Sequence, residues 1–533
     1  MRRGIKIRLF VFGCLLALFL IAGGTVWWLV HHYLIKTQPL SDTQIAELEI
    51  DYTQMTKGRW SPWQIDAEGN RVWNPVAGYN GWVRTLKDDE RAWPELFAWW
   101  SAHPEMMDHP DKEVLPYESV DYQFIRDWHA DPEHASSLDA MLSVIERPYL
   151  GAQFTDLMYG EQTQADDPTP IDLRSENANI SLFDAGNPAL GTYRRLTLVI
   201  HQRAGLAIEQ GDADPFVELI GRTQRSISLL DEFPVAIDQL VQLAVLRHGY
   251  SYVLWALEEY PHHFRDSHLA QLDASIEATK LDGYNHLAEL MFLEDILRRF
   301  ATKGGKFRFA AIANSFANDI DLFDVLGPPT HKTVDEFDTT LQQPLYLMYK
   351  GTQYGDRMSR IPWNGEDVVL PYATTYGFEP NPVTSKFAWV FFAAYDRVAM
   401  TFLQHQQTRI GLRTAIALHR HKLRHRRFPE SVSEIDADLL AFEPVDLFTN
   451  EPLMMTMRDG QVRVYSTGPD RIDDNGEPIW REMFGAEART YERKMRWISA
   501  ESAQNLLDYS PHEISGDFVL FPTPRDDPYE DEP

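Results

Sequence analysis

From Lys386 to Arg426 the chain runs for 41 residues without a proline and with Gly411 as its one glycine. Proline and glycine are the residues that end helices, so this stretch predicts one continuous helix, ~60 Å long at ~1.5 Å per residue. Its first part, FAWVFFAAY, is apolar nearly all round and needs neighbours on every side. Its end, HRHKLRHRRF, is basic, which suits the negative end of a helix dipole. A rod of this kind is covered most readily by other helices, so it commits the chain to a mainly α fold.

The covering helices are legible upstream. TYRRLTLVIHQRAGLAIEQGD carries apolar residues at three/four spacing and stops at Gly211. DPFVELIGRTQRSISLLDEF opens on Asp-Pro, and VAIDQLVQLAVLRHGYSYVLWALEEY closes before Pro261. SHLAQLDASIEA and YNHLAELMFLEDILRRFAT add two more. No fixed-period repeat recurs, so the expectation is an irregular helical array over 171–350. A Gly- and Pro-rich connection, 351–385, separates it from the long helix assigned to 386–427.

Residues 40–170 read as an irregular segment. Seven of the fifteen tryptophans fall between Trp60 and Trp100. DAEGNRVW predicts a hairpin with Gly-Asn at its turn, and PELFAWW and SLDAMLSVIERPYL predict short helices. Tryptophans of this kind pack cores, rest at membrane surfaces or stack on sugars. The carboxylates Glu258, Glu259, Glu289, Glu294, Asp295, Asp319, Asp321 and Asp324 lie on or near the helices, where acidic pairs are routine surface features. Two of them held ~5–9 Å apart would suit glycoside cleavage.

At the N-terminus Arg2, Arg3, Lys6 and Arg8 precede an uncharged run from Leu9 to Val30. Its length matches a bilayer core, and the basic flank places that end in the cytoplasm. The expectation is residues 1–35 as a cytoplasmic tip and transmembrane anchor, with a single-pass inner-membrane placement and the rest outside the cytoplasm. The one cysteine, Cys14, lies inside the run, so neither an internal disulfide nor a zinc–thiolate site is available. A net charge of −29 argues against nucleic acid, which needs clustered Lys and Arg.

After Phe428-Pro429 the pattern changes. PLMMTMRDGQVRVYS alternates and carries an Asp-Gly turn, predicting a β-hairpin. VYSTGPDRIDDNG follows, with three aspartates in a short loop. Long helix, Phe-Pro break, Asp446-x-Phe448 with Pro452 before the hairpin, then Tyr465, Ser466, Gly468, Asp470, Asp473 and Asp474: this order resembles the C-terminal half of the major pseudopilin of bacterial type II secretion, over Thr408 to Trp480. The resemblance implies a small α+β module, 428–485, whose loop binds calcium. Its ligands would be Asp470 with one or both of Asp473 and Asp474, completed by backbone oxygens near Ser466 and Thr467. Leu447 departs from the family's proline, the loop is shorter, and no prepilin-type processing site precedes the apolar run. Residues 486–533 remain as an extension with an acidic tail. An acidic turn capping backbone amides is the plain alternative for the loop.

His421 and His425 have the i, i+4 spacing of a helical metal clamp. Arg420, Lys422, Arg424, Arg426 and Arg427 surround them with no carboxylate between, so the expectation is a solvated helix end. His262, His263 and His268 receive the same reading. Two functions follow: a membrane-anchored envelope scaffold with a calcium-binding module and protein partners, or an exported hydrolase acting on carbohydrate. A buried carboxylate pair beside the tryptophans would favour the hydrolase; a smooth, shallow helical surface would favour the scaffold.

Overall fold

The computed structural model describes residues 40–105, 122–152, 188–300, 345–350, 382–477 and 518–522, except 49, 233–234, 280, 282, 459–460 and 469–470, together with 182, 342 and 353. In the N-terminal region, proline sets the helix starts. Helix α1 (Asp42–Glu47) precedes a hairpin of β1 (Trp63–Ile65) and β2 (Arg71–Trp73). Its loop turns on Asp66, which accepts hydrogen bonds from the backbone N–H of Glu68 and Asn70, and on Gly69, whose φ is +87°. Helices α2 (Pro75–Val83), α3 (Trp93–Ala102), α4 (Tyr122–Ala130) and α5 (Pro132–Val144) follow. Pro75 and Pro132 stand in first turns capped by the side chains of Asn74 and Asp131.

The helical body follows the expected punctuation. Helix α6 (Pro188–Glu209) gives way at Gly211, whose φ of +86° only glycine adopts at no cost. Helix α7 (Ala213–Ser226) continues into a 3₁₀ turn, Ile227–Glu232, before α8 (Ala236–Glu259), which stops short of Pro261. Helices α9 (Asp266–Ala278) and α10 (His286–Phe300) precede the long helix α11, Pro382–His425. Helix α6 packs on α7 and α8, α7 on α9, and both α8 and α9 on α11. One hydrophobic core runs from Trp93 and Leu96 of α3 through these helices to Leu412 and Ile416 of α11. It continues into Val464, Phe518 and Leu520 of the C-terminal sheet. A separate cluster joins Tyr52, Trp60 and Trp73 to Ala288 and Met291 of α10.

The expected hairpin forms as β3 (Met454–Arg458) and β4 (Gln461–Ser466), paired from Met454↔Tyr465 to Arg458↔Gln461. A third strand, β5 (Phe518–Phe521), pairs antiparallel with β4, so part of the expected extension belongs to this sheet. Strands β4 and β5 lie on α11. Gly411 is the crossing point: a Cβ there would come within 2.6 Å of the Leu520 Cβ. The lone glycine of the helix is therefore a contact site and leaves the helix unbroken.

The membrane placement is corrected. Among the described residues no helix is long and apolar enough to cross a membrane. The longest, α11, carries Lys386, Asp396, Arg397, Arg409 and Arg413 along its length. Arg409 and Arg413 pair with Glu277, and Arg413 also with Asp273, on α9, a protein surface. The run Leu9–Val30, on which the single-pass inner-membrane placement rested, lies outside the described residues. Among the described residues the fold is mainly α with two small sheets.

Candidate functional site

The end of β4 is organised by one buried carboxylate, Asp446. Its Oδ1 accepts from the Phe448 N–H at 2.9 Å and the Ser466 hydroxyl at 2.8 Å. Its Oδ2 accepts from the Thr467 N–H at 2.9 Å and the Thr467 hydroxyl at 3.0 Å. Four donors satisfy a carboxylate that is 1% exposed. Ser466 and Thr467 thus spend their side chains on Asp446, which fixes the backbone where the acidic loop leaves the sheet. In the loop, Asp473 Oδ1 accepts from the Tyr465 hydroxyl at 3.0 Å and the Asn475 N–H at 2.8 Å. Arg471, Asn475 and Gly476 all take positive φ, so the chain doubles back tightly. Asp473 is exposed and Asp474 half-buried; Asp470 lies outside the described residues.

A second cluster stands at the far end of the same helix. His421 and His425 occupy the last turn of α11, with ring centroids 4.3 Å apart. The carboxylate not found between them in sequence arrives from the following segment: Asp436 Oδ2 lies 3.0 Å from His425 Nε2, and Asp436 Oδ1 lies 3.9 Å from His421 Nδ1. One ligand atom from each of the three lies within 4.8 Å of the others. His421 is 4% exposed and neither ring nitrogen has a hydrogen-bond partner. Burial, with His425 and Arg427 adding repulsion, holds its pKa below the ordinary histidine value despite the opposing pull of Asp436 and Glu434.

His103, Glu105 and His134 form another such group, but both His103 nitrogens, one Glu105 oxygen and His134 Nδ1 already have partners. His103 Nδ1 and Nε2 lie 3.1 Å from Glu105 Oε1 and 3.0 Å from Ser137 Oγ, and the Trp128 Nε1–H donates to the same Glu105 oxygen at 3.1 Å. His134 stacks on Trp128 and places Nδ1 3.2 Å from the Trp128 carbonyl. His268 is likewise engaged, 2.8 Å from Asp214.

A buried carboxylate pair does sit beside the tryptophans. Glu294 accepts from the Tyr52 hydroxyl at 2.7 Å, and Asp295 from the Trp73 Nε1–H and the Leu182 N–H, both at 3.1 Å. Each is neutralised one helical turn on: the Nε of Arg298 and Arg299 donates to Glu294 and Asp295 at 2.8 and 2.9 Å. The Arg298 guanidinium also faces the Trp63 and Trp73 rings at 5.0 and 4.9 Å. All four carboxylate oxygens are bound, so the pair holds the fold and offers no face to a substrate. Glu232 and Glu289 are also buried, and burial pushes both up to about 7. Glu232 accepts from the Tyr79 hydroxyl and the N–H groups of Leu150 and Gly151; Glu289 accepts from the Ala236 N–H. The hollow lined by Arg194, Arg195, Thr197, Leu198, Val245 and His248 has room for about one water molecule. Glu258 and Glu259 end α8, and Asp319, Asp321 and Asp324 lie outside the described residues.

No known protein family, curated protein or solved structure matches the chain. Three functional features escaped the sequence reading. Asp436 is eleven residues from His425, beyond the reach of helical spacing. Asp446 figured as a motif residue without its role as a hub. Glu232 pins Leu150 and Gly151 from 82 and 81 residues away, a separation no local pattern reveals.

Proposed function

We propose that the chain is a binding and scaffolding protein, a helical body that carries a pseudopilin-like C-terminal module whose acidic loop takes calcium. The observation that carries this reading is the Asp446 hub. The residues on which the resemblance rests are linked in short steps: Asp446 binds Phe448 and Ser466, Val445 bridges to Pro452, and Tyr465 reaches the loop at Asp473.

The described donors suit the ion. They are oxygens, which calcium prefers, and the two hydrogen bonds to Asp473 Oδ1 hold that carboxylate in place on the loop. Asp470 and Asp474 would complete the carboxylate set, with backbone oxygens near Ser466 and Thr467. Bound calcium supplies charge compensation for the crowded aspartates. The Glu294–Asp295 pair, whose four oxygens are all bound, supports binding in preference to hydrolysis.

Thermal melting of the full chain with calcium and with a chelator tests the reading. At a calcium concentration ~100-fold above the dissociation constant, binding adds ~2.7 kcal/mol to the stability of the module. The expected result is an upward shift of the C-terminal transition that Asp470→Ala abolishes. Identical melting curves in calcium and chelator would overturn it.

A further inference from the structure

We propose that His421, His425 and Asp436 form a binding site for a divalent transition metal of the zinc class, separate from the calcium loop and built at the junction between α11 and the C-terminal module. Two imidazoles and one carboxylate are a donor set that zinc and its neighbours accept, with open positions left for water. The spacing fits. Ligands at ~2.0–2.2 Å from a tetrahedral ion lie roughly 3.3 Å from one another. The measured separations from Asp436, 3.0 Å to His425 and 3.9 Å to His421, bracket that edge. A metal would replace the hydrogen bond between His425 Nε2 and Asp436, and the proton of a neutral His425 would then sit on Nδ1.

The independent observation is His421. Its ring is buried, its nitrogens have no hydrogen-bond partner, and Nδ1 faces Asp436. An orphaned buried imidazole is costly unless something binds it. The basic surroundings that counted against a dication are largely compensated. Arg420 binds Asp266, Arg424 binds Asp438 at 2.8 Å, and Arg427 binds Glu434 at 3.3 Å. Lys422 turns away over the Phe428 ring, and Arg424 reaches Asp436 Oδ2 only at 3.4 Å. Arg426 is exposed beyond the helix end. Bound metal would stitch the last turn of α11 to the segment that leads into the β module.

The test uses the full, tag-free chain with Co(II) as a spectroscopic probe and Zn(II) as competitor. One equivalent of Co(II) should give visible ligand-field absorption that Zn(II) abolishes. His425→Ala and Asp436→Asn should each weaken binding by at least about 10–100-fold, the loss that even outer partners of a metal site cause. His134→Ala should leave it unchanged. Asp436→Asn preserves shape, so it stays informative where His421→Ala disturbs packing. Absence of the Co(II) spectrum, or a spectrum that survives His425→Ala and Asp436→Asn, would overturn the assignment; so would loss only in His134→Ala.

Discussion

Two regions of the molecule are tied down by buried carboxylates, and they do it in opposite ways. The tryptophan-rich N-terminal region is held by carboxylates that belong to the helical body. Glu232 reaches Tyr79, Leu150 and Gly151; Glu294 reaches Tyr52; Asp295 reaches Trp73 and Leu182. The C-terminal module uses its own Asp446 to bind its own Phe448, Ser466 and Thr467, and meets α11 through apolar contact at Leu520 and Gly411 and through Gln407, which accepts from the Leu447 N–H and donates to the Val445 carbonyl. The first region is docked by polar groups supplied from outside it. The second carries its own buried carboxylate where its loop leaves the sheet, and Gln407 of α11 holds the backbone on either side of that carboxylate.

The sharpest way to break the comparison is Asp295→Ala. It removes the carboxylate from the buried Arg299–Asp295 ion pair and the acceptor of both Trp73 and Leu182. Breaking a buried pair from one side costs about 3–5 kcal/mol. Chemical denaturation followed by tryptophan emission should show the loss, with residues 40–105 becoming sensitive to protease. The calcium-dependent melting shift proposed for the C-terminal module should not change. If that response disappears as well, the two regions are not independently braced.

Acidity separates the regions next. Glu232 and Glu289 titrate near 4.5 when exposed and about 7 when folded, because burial penalises their charged forms. The folded state therefore keeps protons that the unfolded chain has already lost. Their contribution is fully present below about pH 4.5 and falls as pH rises toward about 7, by on the order of 3 kcal/mol for each full shift of this size. Glu289→Gln keeps a carbonyl for the Ala236 N–H and removes the buried charge. The variant should melt higher than the parent at pH 8 and should show a flatter profile between pH 5 and 8. An unchanged profile would mean that Glu289 does not carry this burden.

Asp446→Ala attacks the other brace. Four donors lose their acceptor, two of them backbone N–H groups, at a cost of about 2–3 kcal/mol after local rearrangement. Hydrogen exchange should accelerate at the end of β4 and in the loop that follows, while tryptophan emission from the N-terminal region stays as in the parent. Equal disturbance of both regions would contradict a self-contained module.

What sequence revealed divides along the same line. Local punctuation was legible: Gly211 and Pro261 end their helices, the α11 run holds as one rod, and the Met454–Ser466 hairpin forms in the register its alternation implies. Each depends on residues within a turn or two of one another. The carboxylate hubs were not legible as hubs, because Asp295 meets Trp73 across 222 residues and Tyr52 meets Glu294 across 242. Glu294 and Asp295 read in the sequence as acidic residues on a helix and as candidates for a glycoside-cleaving pair; their arginine partners at i+4 tie them into the fold. The histidine pair was visible by spacing, whereas Asp436, which changes its chemistry, comes from a different element. Strand β5 was hidden by brevity, since four apolar residues far down the chain carry no period.

The smallest expected effect tests how the C-terminal module meets the body. Gly411→Ala removes the helix penalty of glycine, a gain of ~1 kcal/mol in an unobstructed helix. Here the new Cβ would stand 2.6 Å from the Leu520 Cβ, 2.8 Å from its Cδ1 and 3.0 Å from its Cγ. Overpacking of that kind costs ~1–3 kcal/mol, so the clash outweighs the gain and the net loss is about 1 kcal/mol. Leu520→Ala deletes two of the three obstructing atoms. In that background the cost of Gly411→Ala should shrink, and a double-mutant cycle read by chemical denaturation gives the coupling directly. Stabilisation by Gly411→Ala alone would mean that β5 does not press on the helix there. The apolar half of the comparison would then fail, while the Asp446 brace remained intact.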